Sequence, residues 1–482
     1  MYDIIIIGAG VIGSLIAREL SKYNIKIALL EKNDDVSCGA SKANSGIIHG
    51  GYDAKHGTLK SKLSYKGNQM YDKLNSELNF GFERIGSLVV GYNEEDLKSL
   101  KKLIENGVKN GVKNLKLLTK EKIKEIEPNI NDNVQYAVYC SDVGIVSPYE
   151  VTIAAAENAI KNGVKLFLNS EVISIKKDEF FIVETQKKIF KTRYIINCAG
   201  LYSDKIANMV GIDDFYIIPR KGEYMLFEKY YGDIVNHVIF QVPTVHGKGV
   251  LVTKTYHNNL MIGPNAQEIN TKDDKSTSLE NLKSIYIKSK NSIPNIDYKK
   301  IIRSFAGIRA TSNKHDFIIE ESKIKNFINV AGIESPGLTS APAIAQMVEN
   351  ILLNKESFKK NKKYNPYRKF IVKKKTKDEL LSNTELKPLL DNETYICRCE
   401  QVSKEIILDA LSRGIEVKSV DGIKRRTRAG MGICQGNFCS SRVKKIISKY
   451  YNIPIETVKD REEASGIINE RVNRIEILKN FK

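Results

Sequence analysis

Four of the chain's seven cysteines fall in one C-terminal window: Cys397-x-Cys399 in "YICRCEQ" and Cys434-x4-Cys439 in "GMGICQGNFC", with 34 residues between the pairs. Four thiolates brought together can close structural disulfides, hold a tetrahedral zinc ion or ligate a [2Fe–2S] cluster. Zinc knuckles usually separate the members of each pair by about two to four residues, and Cys397-x-Cys399 is tighter than that. A four-thiolate [2Fe–2S] centre carries roughly −2, and roughly −3 after one-electron reduction. The run "KRRTRAGMG" sets Lys424, Arg425, Arg426 and Arg428 just ahead of Cys434, where positive charge favours the reduced form. Gly430, Gly432 and Gly436 let backbone N–H groups approach sulfur. The residues favour the cluster and leave zinc open, as they leave open a merely solvated arginine face. "SKEIILDALSRGI", with Ser403 as N-cap, and "SSRVKKIISKYY" both have helical apolar spacing, so two helices are expected to bring the thiol-bearing loops together. Cys38, Cys140 and Cys198 read as buried small hydrophobes.

A second constellation opens the chain. Ile4 to Ile7 form a β-branched run suited to a parallel strand buried on both faces. Gly8, Gly10 and Gly13 follow as G-x-G-x-x-G, then an apolar-periodic helix, then a second strand ending in Glu31. Gly8 permits the tight turn, Gly10 lets backbone approach a pyrophosphate, and Gly13 lets helix and strand pack closely. The helix N-terminus offers N–H groups to the phosphates. Glu31, 18 residues after Gly13, is placed to accept hydrogen bonds from a ribose diol, which disfavours a 2′-phosphate and hence NADP. The segment after Glu31-Lys32, "SCGASKANSGIIHGGYDAKHGTLKSKL", is small and polar where an NAD-binding unit would continue into helix and strand. Such backbone can lie against a flat ring system, which points to FAD. "YIINCAGLYSDKIA", with Ala199 and Gly200, and "FINVAGIESPGLTSAPAIAQMVENIL", with Gly332, fit the same picture. In the latter, Gly337, Leu338 and Thr339 can present N–H groups to the anionic edge of a reduced flavin.

In that order along the chain, the glycine turn, "NSGIIHGG", "NCAGLYSD" and "GIESPGLTSAPAIA" resemble the D-amino-acid oxidase-like FAD oxidoreductases, over roughly residues 1–352. That superfamily includes glycerol-3-phosphate dehydrogenases and L-2-hydroxyglutarate oxidases. The resemblance implies an α/β fold: a Rossmann-like FAD-binding domain assembled from separated stretches, with an inserted α+β substrate domain. It also implies that Lys32, Ser41, Asn44, Ser45 and Val172 contact the cofactor and that His49 lies at the flavin's substrate face. "CRCEQVS…DGIKRRTRAGMGICQGNFC" closely resembles the BFD-like [2Fe–2S] domains, implying a small helical domain with Cys397, Cys399, Cys434 and Cys439 as ligands. The fusion is similar to the large subunits of anaerobic glycerol-3-phosphate dehydrogenases.

The expected division is therefore 1–75, 145–215 and 300–352 for FAD, 76–144 and 216–299 for substrate, 353–392 as linker, 393–455 for the cluster, and 456–482 as a tail forming a last helix or a partner contact. "YMLFEKY" and "KGVLVTKTYHNNLMIGP" have strand character and can form a sheet over the flavin. At 482 residues, 42% hydrophobic and 28% charged, the chain reads as a multidomain globular protein. It contains no run of eighteen apolar residues, so no membrane span is expected. "IIIIGAGVIG" lacks a basic leader and cleavage site, so it reads as strand and turn rather than signal peptide, and a cytoplasmic location is expected, with any membrane attachment supplied by a partner. The net charge of +19 suits a solvated lysine-rich surface or the steering of an anionic substrate or acidic partner. No zinc-finger, RNA-recognition or helix-turn-helix signature supports nucleic-acid binding.

Oxidising a secondary alcohol requires a base for the hydroxyl proton while hydride goes to the flavin. His49 is the leading candidate, since an imidazole's ordinary titration range suits neutral pH; the alternative is a histidine that only packs beside the ring. His56, His237, His246, His257 and His315 have less motif support and read as surface or satisfied histidines. Arg309 in "FAGIRATS" is the best anchor for an anionic substrate and Lys254 the second, with Arg220 and Lys221 weaker. An anion anchor does not separate a phosphate from a carboxylate. Joining flavin to a one-electron cluster favours a dehydrogenase that exports electrons to a partner acceptor, oxidising glycerol 3-phosphate or, alternatively, a 2-hydroxy acid or amino acid. A reading from another class is an iron–sulfur electron-transfer module in which the flavin domain is secondary.

Overall fold

The N-terminal β-branched run forms strand β1, Tyr2–Ile7, with Ile4, Ile5 and Ile6 fully buried. It pairs in parallel with β2, Ile27–Leu30, on one side and with Ile189–Asn197 on the other. A parallel pair needs a crossover, which helix α1, Val11–Leu20, supplies. Lys165–Phe167 and Phe327–Ala331 extend the parallel core at its two ends, and antiparallel strands complete an eight-stranded sheet. Helix α1 packs between the helices Pro148–Lys161 and Gly337–Leu353, and the latter packs on Leu59–Leu78. The computed structural model describes residues 1–242, 249–369, 395–460 and 470–481; His246 and residues 370–392 of the expected linker lie outside them.

The second sheet has nine strands. Its spine is a long antiparallel pair, Ile217–Lys229 with Ile301–Ser312. The expected boundary at 300 therefore shifts: Ile301–Ser312 lies in the substrate sheet, because its hydrogen-bonding partner is the strand carrying "YMLFEK". The other segment with strand character supplies Leu251–Lys254 and Asn259–Gly263 to the same sheet.

The C-terminal unit is built of three helices: Lys404–Leu411, Val420–Thr427 and Ser440–Tyr451. Ser403 caps the first as expected, its side chain accepting the Ile406 N–H. The middle helix was not anticipated; its charged run hides an amphipathic pattern in which Val420 and Ile423 are buried. So small a unit cannot bury much core alone. Its Ile407, Ile423 and Val443 belong to the same buried cluster as Val36, Val151 and Ile344 of the FAD domain.

Two flanking stretches fasten it further. The start of the expected linker is a strap on the FAD domain: the Asn24 N–H donates to the Lys359 carbonyl at 2.8 Å, and Arg368 Nε donates to buried Glu157 at 2.6 Å. Beyond the cluster unit, the tail helix Arg474–Asn480, with a capping box at Asn473 and Glu476, buries Ile477 and Phe481 in the core of the chain's own substrate domain.

Candidate active site and cluster site

One cavity of about 640 Å³ runs from the glycine turn to the substrate sheet, and every residue expected at the cofactor or the reaction lines it except Gly13, Gly332, Lys221 and Lys254. Gly8 turns at φ +104°, and a Cβ there would lie 2.4 Å from the Cys198 carbonyl oxygen. Gly13 acts from outside the cavity: a Cβ would lie 2.0 Å from the Gly8 carbonyl oxygen, backbone against backbone. Gly13→Ala must push α1 off β1, and at least about tenfold weaker flavin retention is expected, read from the visible flavin band of the purified protein. Gly332, at φ +66°, turns the chain after Phe327–Ala331 and so aims 333–339 into the cavity without lining it.

The cradle fits a dinucleotide. Helix α1 begins at Gly10 with no side-chain cap; Ser41 Oγ accepts the Val11 N–H at 2.9 Å. Glu31 is buried, its two oxygens taking N–H groups from Ala9 (2.9 Å) and Asn33 (3.0 Å). Burial raises its pKa against the pull of those hydrogen bonds. The ammonium of Lys32 stands 3.8 Å over the Tyr202 ring. At the other end, Gly337–Leu353 also starts without a side-chain cap; the Gly337 N–H donates to the Glu334 carbonyl at 2.5 Å, and Leu338 and Thr339 of the same first turn line the cavity. The Thr339 side chain has a role of its own: its Oγ1 accepts the His49 backbone N–H at 2.9 Å and ties that helix to the histidine.

His49 is half-buried and stacks on Phe240, 5.9 Å between ring centroids. Arg220 and Arg309 face each other as direct cross-strand partners on the substrate sheet, and both line the cavity. Like charges directly opposite on a sheet repel. Arg220 Nε is buried without a hydrogen-bond partner, and Arg309 hydrogen-bonds Tyr224, whose phenol burial nevertheless pushes up. Glu334 does not neutralise the pair alone, since it is held by Lys60 (2.7 Å) and Thr311 (2.7 Å). Burial would raise Glu334, but those partners keep it below the usual carboxylate range. This wall of the cavity therefore carries two adjacent guanidinium groups. Strand register sets Arg220, a weaker candidate in sequence, level with Arg309 on this wall. Lys221 is spent on Asp274 at 2.9 Å. Lys254 lies at the end of its strand and does not line the cavity. His237 and His257 are satisfied by Glu127 (3.0 Å) and Glu150 (2.9 Å).

At the C-terminal unit the thiols meet in two pairs, Cys397 with Cys439 and Cys399 with Cys434. A hydrogen bond from Cys439, with N–H groups of Gly430 and Glu400, holds the Cys397 thiol down to about 6, while the contact with Cys397 and burial push Cys439 up. Two thiolates per iron is the donor set a two-iron cluster takes, so the residues present fit that group. Burial pushes Cys140 up to about 12 and Cys198 up as well, leaving both as unreactive core thiols.

The arginines ahead of Cys434 form neither a solvated face nor a charge cloud for the cluster. Arg425 reaches buried Asp35 of the FAD domain at 2.5 Å, and Arg426 grips the same carboxylate with two bonds of 2.7 Å. Arg428 pairs with buried Glu400 at 2.8 Å and reaches Asn259 of the substrate domain at 3.2 Å. These residues lock three domains together, because a desolvated guanidinium needs a carboxylate wherever it is buried.

The comparisons with known proteins agree with this geometry. Residues 3–351 match the FAD dependent oxidoreductase family model and residues 395–449 the BFD-like [2Fe-2S] binding domain, so zinc is set aside and the chain carries FAD and a [2Fe–2S] cluster. The chain is 48% identical over 97% of its length, and 98% of the relative's, to a glycerol 3-phosphate dehydrogenase of Caloramator mitchellensis. A glycerol 3-phosphate oxidase of Mycoplasma genitalium is 37% identical over 76% of this chain and 97% of its own. An L-2-hydroxyglutarate dehydrogenase of Indibacter alkaliphilus is 31% identical over 72% of this chain and 98% of its own. The solved L-alpha-glycerophosphate oxidase of Mycoplasma pneumoniae, dithionite-reduced with FAD bound, superposes with a TM-score of 0.73 at 30% identity, over 77% of this chain and 98% of that one. Among the described residues no helix is long and apolar enough to cross a membrane. The chain belongs to the FAD dependent oxidoreductase family and bears a BFD-like [2Fe–2S] domain docked on its flavin domain.

Proposed function

We propose that this protein is a dehydrogenase that oxidises glycerol 3-phosphate to dihydroxyacetone phosphate and exports the electrons one at a time through its cluster domain. The observation that carries the reading is the opposed pair Arg220 and Arg309 in the same cavity as His49. Two guanidinium groups suit a phosphate dianion better than a single carboxylate. Bound FAD supplies a hydride acceptor and the [2Fe–2S] cluster a one-electron carrier. Removing the substrate's hydride also demands removal of its hydroxyl proton, which His49 takes on its imidazole. Stacking on Phe240 orients that ring, and the Thr339 bond fixes its backbone. Phe240 and Tyr224 present apolar surface that limits water beside the reacting carbon.

Two relatives favour dehydrogenase over oxidase: the dehydrogenase matches 97% of the chain, whereas the M. genitalium oxidase matches 76%. The family contains a second anion-binding option, since the Indibacter relative acts on a 2-hydroxy acid. Anaerobic addition of glycerol 3-phosphate to the purified protein is expected to bleach the flavin band, with 2-hydroxyglutarate far less effective. Bleaching by 2-hydroxyglutarate alone would replace this reading with the hydroxy-acid one. Arg309→Ala removes a charge-assisted contact of about 1.5–3 kcal/mol. The KM for glycerol 3-phosphate should therefore rise roughly 10–150-fold with a smaller change in kcat. Unchanged affinity for anionic competitors would exclude the anchor role.

A further inference from the structure

We infer that the outer face of the cluster domain, centred on Phe438, is the docking site for an acidic one-electron acceptor protein; the inference rests on the reading that electrons leave through the cluster. Phe438 is 81% exposed, the most exposed large apolar side chain among the described residues, and it adjoins Cys439. Ile433, 50% exposed, adjoins Cys434. Single exposed apolar residues are ordinary on a soluble surface. Here two stand in one short loop, each next to a ligand of the same redox centre. Cys399 is itself exposed, while Cys397 and Cys439 are buried. The cluster site therefore has an inner side turned to the flavin domain and one edge turned to solvent.

Charge divides the same way. Arg425, Arg426 and Arg428 point inward and are consumed by Asp35 and Glu400. Arg398, Arg442 and Lys445 are exposed on the outer side. In the two stretches 395–401 and 430–449 the only acid is Glu400, and it is buried. An apolar centre with a charged rim is the anatomy of a small transient interface. Lys444 of the same helix is paired with exposed Asp460 at 2.7 Å, but the exposed charges of these two stretches are all cationic, which selects an acidic partner and speeds its encounter. Such a partner, seated on Phe438, brings its own redox centre to the exposed Cys399 edge.

The test uses the holoenzyme and oxidised plastocyanin, an acidic blue-copper protein, as probe, against basic cytochrome c. The enzyme is reduced with glycerol 3-phosphate, and in parallel with stoichiometric dithionite, so that docking is read whatever the substrate. Phe438→Ala and Arg442→Glu are each expected to raise the KM for plastocyanin at least about tenfold. Wild-type KM should rise with salt. The electron paramagnetic resonance signal of the reduced cluster and turnover with a small neutral quinone should stay unchanged in both variants. A plastocyanin KM unmoved by both substitutions would overturn the inference, as would a wild-type preference for cytochrome c. Loss in Phe438→Ala of flotation with anionic vesicles, or of a dimer, with carrier KM unchanged, would reassign the face to a membrane or a second copy. A wild-type cluster that stays oxidised while substrate bleaches the flavin would instead defeat the export reading and this inference with it.

Discussion

His49→Gln is expected to lower kcat for alcohol oxidation by about 10²–10⁴-fold, the usual loss when a positioned general base is removed. Glutamine keeps much of the side chain's size and its capacity to pack on Phe240, so the flavin content and visible spectrum should stay as in the wild type. The backbone of His49 remains tied to Thr339, and Asn68 still donates to its carbonyl at 2.9 Å, which leaves the local fold intact. The informative measurement is anaerobic stopped-flow bleaching of the flavin by glycerol 3-phosphate across pH. Wild-type rates should fall on the acid side as the base becomes protonated, and the variant should lose that limb. A variant with full turnover would show that the imidazole only packs beside the ring.

Asp35→Asn should separate the two redox sites. Substrate is expected to bleach the flavin at the wild-type rate while reduction of the cluster slows. Asp35 is 1% exposed and receives one bond from Arg425 and two from Arg426. Replacing its charge leaves two buried guanidinium groups facing a neutral amide, a cost of about 3–5 kcal/mol, or roughly 10²–10⁴-fold against the docked arrangement. Iron and labile sulfide content should not change, because the Asp35 carboxylate bonds Arg425 and Arg426 and none of the four cluster cysteines. Small-angle scattering should show an expanded particle, and the cluster's electron paramagnetic resonance signal should appear late or weakly after substrate. Arg426→Gln should behave alike. Cluster reduction as fast as in the wild type would show that docking does not depend on this clamp. The clamp also predicts a pH limit. Burial alone would raise the Asp35 carboxyl, but the two arginines outweigh it and hold it at about 2. A depressed value means the contribution is complete above an ordinary aspartate's pKa of about 3.9 and is lost as pH falls through about 2. Docking should therefore persist at neutral pH and loosen only in strong acid.

Much of the cofactor site was legible in the sequence because its determinants are local. Gly8, Gly10 and Gly13 act through the turn they occupy, and Glu31 ends the very next strand. The thiol spacing belongs likewise to two short loops. Ser403 could be read as a cap because the bond it makes spans three residues. Some local readings were nonetheless incomplete. The helix Val420–Thr427 is not expected from the sequence because its apolar positions are few and its charges many.

The rest depended on what lies far apart in the chain. That Arg220 stands opposite Arg309 follows only from the register of Ile217–Lys229 against Ile301–Ser312, which pairs two residues 89 positions apart in the chain. The same pairing places 301–312 in the substrate sheet. Lys254 ranks second to Arg309 as an anchor in sequence, yet its strand does not bring it to the cavity. The partner of Arg425 and Arg426 is 390 and 391 residues away, and no pattern near either end announces it. Sequence alone determined which groups this protein carries: a dinucleotide cradle, a histidine beside it and four thiols for a cluster, since each is a short-range arrangement of backbone and side chain. Tertiary structure alone decided which charges line the cavity and which hold domains together, because burial and pairing, not residue type, determine what a guanidinium does.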